Sequence, residues 1–199
     1  MTRFIPVVLL ASLSLLIGCG GAEDRKSAYR AKGDEFFAAE NYEKARLEFQ
    51  NVLQIDPKDL EARFRLAETL EKLENWQGAA SHYLAILGED EAHAGALLNM
   101  GRLYLLSNND DKAREHAEKI LSVSPTNTDA MMLLAGVKAK SGDSAGAREL
   151  AEKVLQQAPN SPEGASLMSS LLLMEGKVDD SIEMLKGASS AHPDQIALK

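Results

Sequence analysis

The chain has very little cysteine: one residue, Cys19, in 199. An intramolecular disulfide is therefore excluded, and so is a multi-cysteine metal cluster. Aromatics make up only 5% of the residues, and all of them lie at or before Tyr104. Positive charge is also scarce, with 22 Lys and Arg against 30 Asp and Glu and a net charge of -8. A general nucleic-acid binder needs a basic face to displace counterions from phosphate, so nucleic acid is not an expected partner. Long apolar runs are missing too. The longest, Val7 to Ile17, is interrupted only by Ser12 and Ser14 and falls short of the roughly 20 residues that span a bilayer. No GxSxG elbow, GxxxxGK[ST] loop or GxGxxG turn occurs. The four histidines, His82, His93, His116 and His192, are never three or four residues apart, so no helical face offers a pair of metal ligands. We expect no catalytic residues, no metal and no cofactor.

What is present begins with an address. Arg3, the apolar run and the small residues after it follow the order of a secretory signal peptide. The run closes on Leu16-Ile17-Gly18-Cys19, which resembles the processing box of bacterial lipoproteins. That resemblance implies a signal peptide over 1–18, a diacylglycerol thioether on Cys19 and an acylated new N-terminus. More than one acyl chain gives stable anchoring. Gly20 follows the cysteine rather than an aspartate, which favours the outer membrane, facing the periplasm. Residues 19–25 are expected to form a lipidated, flexible tether, with the fold starting near Lys26.

The remainder is periodic. Pro57, Pro125, Pro159 and Pro193 are spaced by 68, 34 and 34, and Glu91 occupies the missing place. Ala45, Ala79, Ala113, Ala147 and Ser181 repeat every 34 residues, as do Gly33, Ala67, Gly101, Ala135 and Ser169. A bulkier series runs through Phe49, Tyr83, Ala117, Ala151 and Leu185. Apolar spacing within each period predicts two helices of roughly 13 residues, about 20 Å long. Asn41-Tyr42, Asn75-Trp76, 108–110 and 141–143 supply turns between them. Asp56-Pro57, Ser124-Pro125 and Ala158-Pro159 end second helices, and Ser161-Pro162-Glu163 opens one with a cap, a proline and an acid. Asp110-Asp111 and Asp179-Asp180 are read as first-turn acids rather than metal pairs.

A 34-residue period with a small residue, an alanine twelve later and a closing proline resembles the tetratricopeptide repeat (TPR). The fold class is then all-α, an α-α superhelix of five helix-turn-helix units over 26–59, 60–93, 94–127, 128–161 and 162–195. Residues 196–199 look like the start of a further repeat. Of forty packing positions only Lys32, Arg63, Glu91 and Lys138 misfit. Aromatics occupy packing positions of the first three repeats, whereas Leu, Ala, Val and Met fill the last two. The C-terminal repeats should therefore be less stable, since methionine specifies shape weakly. A repeat array also needs a polar terminal cap. The fifth repeat would leave Ile182, Met184, Leu185 and Ala188 uncovered, so self-association or fraying is expected there.

In the TPR family, first helices line a concave groove. Carried over, that groove shows Arg30, Asp34 and Phe37 from the first repeat, and Phe64, Glu68 and Glu71 from the second. The third contributes Leu98, Arg102 and Leu105, the fourth Asp129, Met132 and Lys140, and the fifth Ser166, Leu173 and Met174. Asp34 and Glu68 stand where carboxylate-clamping relatives place asparagine, which argues against that ligand. Phe37, Phe64, Leu98, Leu105, Met132 and Leu173 are expected to form an exposed apolar stripe for a peptide or an amphipathic helix, unless they pack against the next repeat.

The lipobox followed by Tyr29-Arg-Ala-Lys-Gly-Asp, Tyr42-Glu-Lys-Ala-Arg and Asn51-Val-Leu-Gln-Ile-Asp-Pro resembles the TPR lipoproteins of exosortase/PEP-CTERM exopolysaccharide systems, which are longer chains. The resemblance implies a non-enzymatic scaffold on the periplasmic side of the membrane, in envelope assembly or exopolysaccharide export. Pilotin-like TPR lipoproteins of type IV pilus assembly are the alternative, as is the targeting part of a larger enzyme.

Overall fold

A computed structural model describes residues 20–191, and the Cys19 box and the expected start of a sixth repeat at 196–199 lie outside them. The described residues are helical throughout and contain no strand. Two compact units divide at Asn75 and Trp76, inside the second repeat. The first contains α1 (Gly20–Ala38), α2 (Tyr42–Ile55) and α3 (Leu60–Lys72). The second contains α4 (Trp76–Glu89), α5 (Ala94–Leu106), α6 (Asp110–Val123), α7 (Thr128–Lys140), α8 (Ser144–Gln157), α9 (Pro162–Met174) and α10 (Val178–Ala191). First helices from α3 onward start at Leu60, Ala94, Thr128 and Pro162, and second helices at Tyr42, Trp76, Asp110, Ser144 and Val178. The 34-residue period of the sequence is thus the period of the helices.

Local chemistry explains the boundaries. Asp59, His93, Asn127 and Ser161 cap successive first helices, each accepting a hydrogen bond from the backbone N–H three residues on. Each cap satisfies one of the otherwise orphaned donors of a helix start. Asn41, Asn109 and Asp143 do the same for α2, α6 and α8. The second helices end immediately before Asp56-Pro57, Ser124-Pro125 and Ala158-Pro159, as expected. One residue in each intra-repeat turn takes the left-handed conformation: Glu40, Glu74, Asn108, Gly142 and Gly176, with φ between 57° and 87°. These positions are again 34 apart.

The small-residue series marks helix contacts. In the first unit a Cβ on Gly33 would lie 2.6 Å from the Phe49 ring, which is fully buried. In the second, a Cβ on Gly101 would lie 2.5 Å from Leu133 on α7 and 3.3 Å from His116 on α6. Ala45, Ala79, Ala113 and Ala147 are all fully buried. Ser169 and Ser181 replace the small and alanine members in the last repeat and hydrogen-bond to each other at 2.6 Å. Clusters in the second unit join successive helices: Leu97, Ile120 and Ala130 link α5, α6 and α7, and Ala151, Met168 and Leu172 link α8 and α9. Within the second unit, neighbouring helix pairs thus close apolar faces on one another, which is how repeat arrays gain stability.

Two expectations need correction. Residues 20–25 are the first turns of α1, not a tether. Lys26 explains the added helix: it pairs with Glu23 one turn back at 3.2 Å and with Asp56 at 3.0 Å, tying α1 to the end of α2. Of the four residues expected to be uncovered on the fifth repeat, Ala188 is buried and Met184 packs against Ala151, Met168 and Leu172, while Ile182 and Leu185 are exposed.

Gly142 is exposed, and a Cβ there would meet nothing within 4 Å. Its need for glycine is purely conformational. Gly142→Ala should cost about 1 kcal/mol, and Glu74→Gly should be neutral or stabilising, because only glycine enters the left-handed region without penalty. Urea unfolding of the two variants measures both signs.

Candidate functional site

Charged and aromatic groups on the first helices engage one another before any partner is considered. In the first unit, Arg65 on α3 is the hub. Its guanidinium donates to Asp34 on α1 at 3.0 Å and to Glu68 at 2.6 Å. It also lies 4.4 Å from the Phe37 ring centroid, an arrangement that favours a cation over an aromatic face. Phe37 in turn meets Tyr42 edge-on at 5.4 Å. Burial works against the charge, yet Glu68 and Asp34 hold the Arg65 guanidinium above its ordinary value. Arg30 pairs with the capping carboxylate of Asp59, and its Nε is buried without a hydrogen-bond partner. Hydrogen bonding to Asp56 raises the Lys26 pKa, and the same contact lowers that of Asp56. Phe64 is half-buried on α3.

The second unit repeats the pattern. Arg102 on α5 pairs with Asp129 on α7 at 3.2 Å and with Asn99 at 3.3 Å. Asn99 donates to the buried Tyr83 hydroxyl at 2.9 Å. Lys140 pairs with Asp110 at 2.6 Å and donates to the Leu105 carbonyl at 3.1 Å. Leu98 packs against the Leu97, Ile120 and Ala130 cluster, and Leu105 approaches Gly136 of α7. Met132 is half-buried on α7.

Most of the expected apolar stripe is therefore not open. Phe37, Phe64, Leu98, Leu105 and Met132 are half-buried, and among the six only Leu173, 51% exposed, is open. Phe37, Leu98 and Leu105 pack inside the protein, the outcome weighed against the stripe in the sequence. The charged candidates Arg30, Asp34, Glu68 and Arg102 all hold internal ion pairs.

An apolar cleft of about 590 Å³ opens elsewhere in the second unit. Trp76, Gln77 and Ala80 of α4 face Met100, Leu103, Tyr104 and Leu106 of α5 across it. Trp76 is 50% exposed and Leu106 73%. Reading the sequence assigned Trp76 to a turn and missed the cleft. Its signal was the apolar run Leu103-Tyr104-Leu105-Leu106, which is too continuous for one buried helical face. A smaller pocket beside it holds His116, edge-on to Tyr104 at 5.2 Å. Burial pushes that imidazole below its ordinary pKa.

No cluster of three metal-ligating side chains occurs among the described residues, and no described helix is long and apolar enough to cross a membrane.

Profiles of the tetratricopeptide repeat match residues 30–96, 94–127 and 111–171. The chain is built of tetratricopeptide repeats. Solved structures with the same fold include the TPR protein TTC0263 of Thermus thermophilus, at 19% identity and a TM-score of 0.75. That alignment covers 85% of this chain and 93% of the other. Pseudomonas aeruginosa pilF aligns at 22% identity and a TM-score of 0.72, over 84% of this chain and 78% of its own. MamA of Desulfovibrio magneticus RS-1 aligns at 16% identity and 0.69, over 87% and 98%. No curated protein matches the chain by sequence. Identities this low report the TPR fold alone.

Proposed function

We propose that this TPR protein is a non-enzymatic scaffold that captures a partner protein while anchored to the periplasmic face of the outer membrane. The apolar cleft of α4 and α5 is the observation that carries the binding reading. Internal ion pairs occupy the charged candidates of the first helices, whereas Trp76 and Leu106 are largely exposed apolar side chains. A cleft of about 590 Å³ matches the size of ordinary ligand pockets. It would receive one or two large apolar side chains of a partner helix or extended segment. The anchoring half rests on the position of Cys19 after an eleven-residue apolar run.

Exopolysaccharide export is the process this reading favours, on the resemblance to PEP-CTERM-associated TPR lipoproteins. Pilus assembly is the second reading, and the likeness of fold to pilF is what favours it.

Two experiments separate the parts. Replacing Cys19 with Ser should abolish incorporation of labelled palmitate and release the chain from membranes. Undiminished labelling would end the lipoprotein reading. For the cleft, Trp76→Ala and Leu106→Ala should each reduce recovery of envelope partners on the immobilised chain by about tenfold or more, as truncation of a central anchor does. Glu118→Ala, exposed on α6, should leave recovery unchanged. Equal recovery by all three folded variants, checked by circular dichroism, would remove the cleft from the account.

A further inference from the structure

The last described helix, α10, buries one face and leaves another bare. Ser181 and Ala188 are buried against the rest of the repeat, with Met184 beside them in the cluster of α8 and α9. Val178, Ile182 and Leu185 fall at i, i+4 and i+7 and are 51%, 44% and 39% exposed. That spacing makes a continuous apolar stripe about two turns long. No described helix covers this stripe, and in a repeat array such a surface takes a further helix.

The charges beside the stripe indicate which helix. Asp179 and Lys186 are seven residues apart, so they sit two turns apart on the same border of the stripe. Both are exposed, and neither makes an ion pair among the described residues. When two identical helices pack antiparallel on such a stripe, like borders face each other. Centred near Ile182, this arrangement sets Lys186 of each copy across from Asp179 of the other, so the pair forms twice. Parallel packing would instead put the Asp179 and Lys186 borders of the two copies on opposite sides of the seam, where neither pair forms. Antiparallel packing also places each helix's N-terminal dipole near the other's C-terminal end.

We propose that α10 is a self-association surface, pairing antiparallel with α10 of a second copy through Val178, Ile182 and Leu185, with reciprocal Asp179–Lys186 ion pairs fixing register. The apolar stripe supplies affinity, and the charges select the antiparallel mode. This surface is separate from the cleft of α4 and α5, and either can operate without the other.

Sedimentation velocity on the purified full chain tests it. The chain should dimerise reversibly. Ile182→Asp should give a monomer with an unchanged helical spectrum. Asp179→Lys and Lys186→Glu should each weaken the dimer by about tenfold, because each leaves like charges facing one another. The double variant Asp179→Lys/Lys186→Glu should recover parental affinity to within about threefold, as expected when a double-mutant cycle isolates a direct pair. A monomeric parent at about 100 µM, too weak an affinity for a stable dimer, would overturn the proposal. Association indifferent to Ile182→Asp would overturn it as well, including association carried by the apolar N-terminal run. So would a double variant no tighter than the singles, since the two charges would then not face each other.

Discussion

The approach of helices at small residues is the constraint on which the rest of the protein depends. At Gly33 the ring of Phe49 occupies the space a side chain would need, and at Gly101 Leu133 and His116 do so from two neighbouring helices. A helix pair with a bulkier residue at either place could not close. Interiors are packed too tightly to absorb an added methyl group without movement. Because these contacts recur every 34 residues, each helix pair presents its neighbour with a surface of the same pitch. The array can then propagate by nearest-neighbour packing alone.

Polar groups on the first helices work within that frame. Asp34–Arg65 and Arg102–Asp129 each link one first helix to the next. Partly exposed pairs of this kind contribute roughly 0–1 kcal/mol, so they are not what holds the array together. Their consequence is for recognition. A partner approaching these helices meets charges that are already neutralised, and it would have to break an internal pair to gain one of its own. Affinity is therefore left to apolar surface, which in the second unit is concentrated at Trp76, Tyr104 and Leu106. The same logic applies at α10, where an apolar stripe is exposed beside charges that make no ion pair among the described residues.

Much of this fold is legible in the sequence because its determinants are local and repeated. Prolines after second helices, the small-residue series and the alanine series each mark one physical event per period, and helix boundaries follow from them to within a residue or two. Three features are not legible, for different reasons. The left-handed turn residue recurs at 40, 74, 108, 142 and 176, but Glu40 and Glu74 carry no turn signal, since the packing on both sides imposes the conformation. The helix over 20–25 depends on Lys26 reaching Asp56, 30 residues away, which no local pattern reports. The burial of Ala188 reverses the expectation of an uncovered face, and the partial burial of Leu98 reverses that of an open stripe. Periodicity identifies which face of a helix is apolar, while the presence or absence of the next helix decides whether that face is covered. The candidate site was accordingly the least legible part: its residues were placed on the right helices, but their internal partners Arg65 and Asn99 and the cleft at Trp76 emerge only in three dimensions.

The central claim is that register is set by steric complementarity at the small-residue series. Gly33→Val tests it most directly, because Phe49 is fully buried and has no room to retreat. The account predicts a loss of about 1–3 kcal/mol in urea unfolding, the usual cost of overpacking a core, with lost amide protection confined to α1 and α2. Gly187→Ala, where an added Cβ meets nothing within 4 Å, should be neutral or slightly stabilising. A Gly33→Val protein as stable as its parent, with α1 and α2 still protected, would contradict the account.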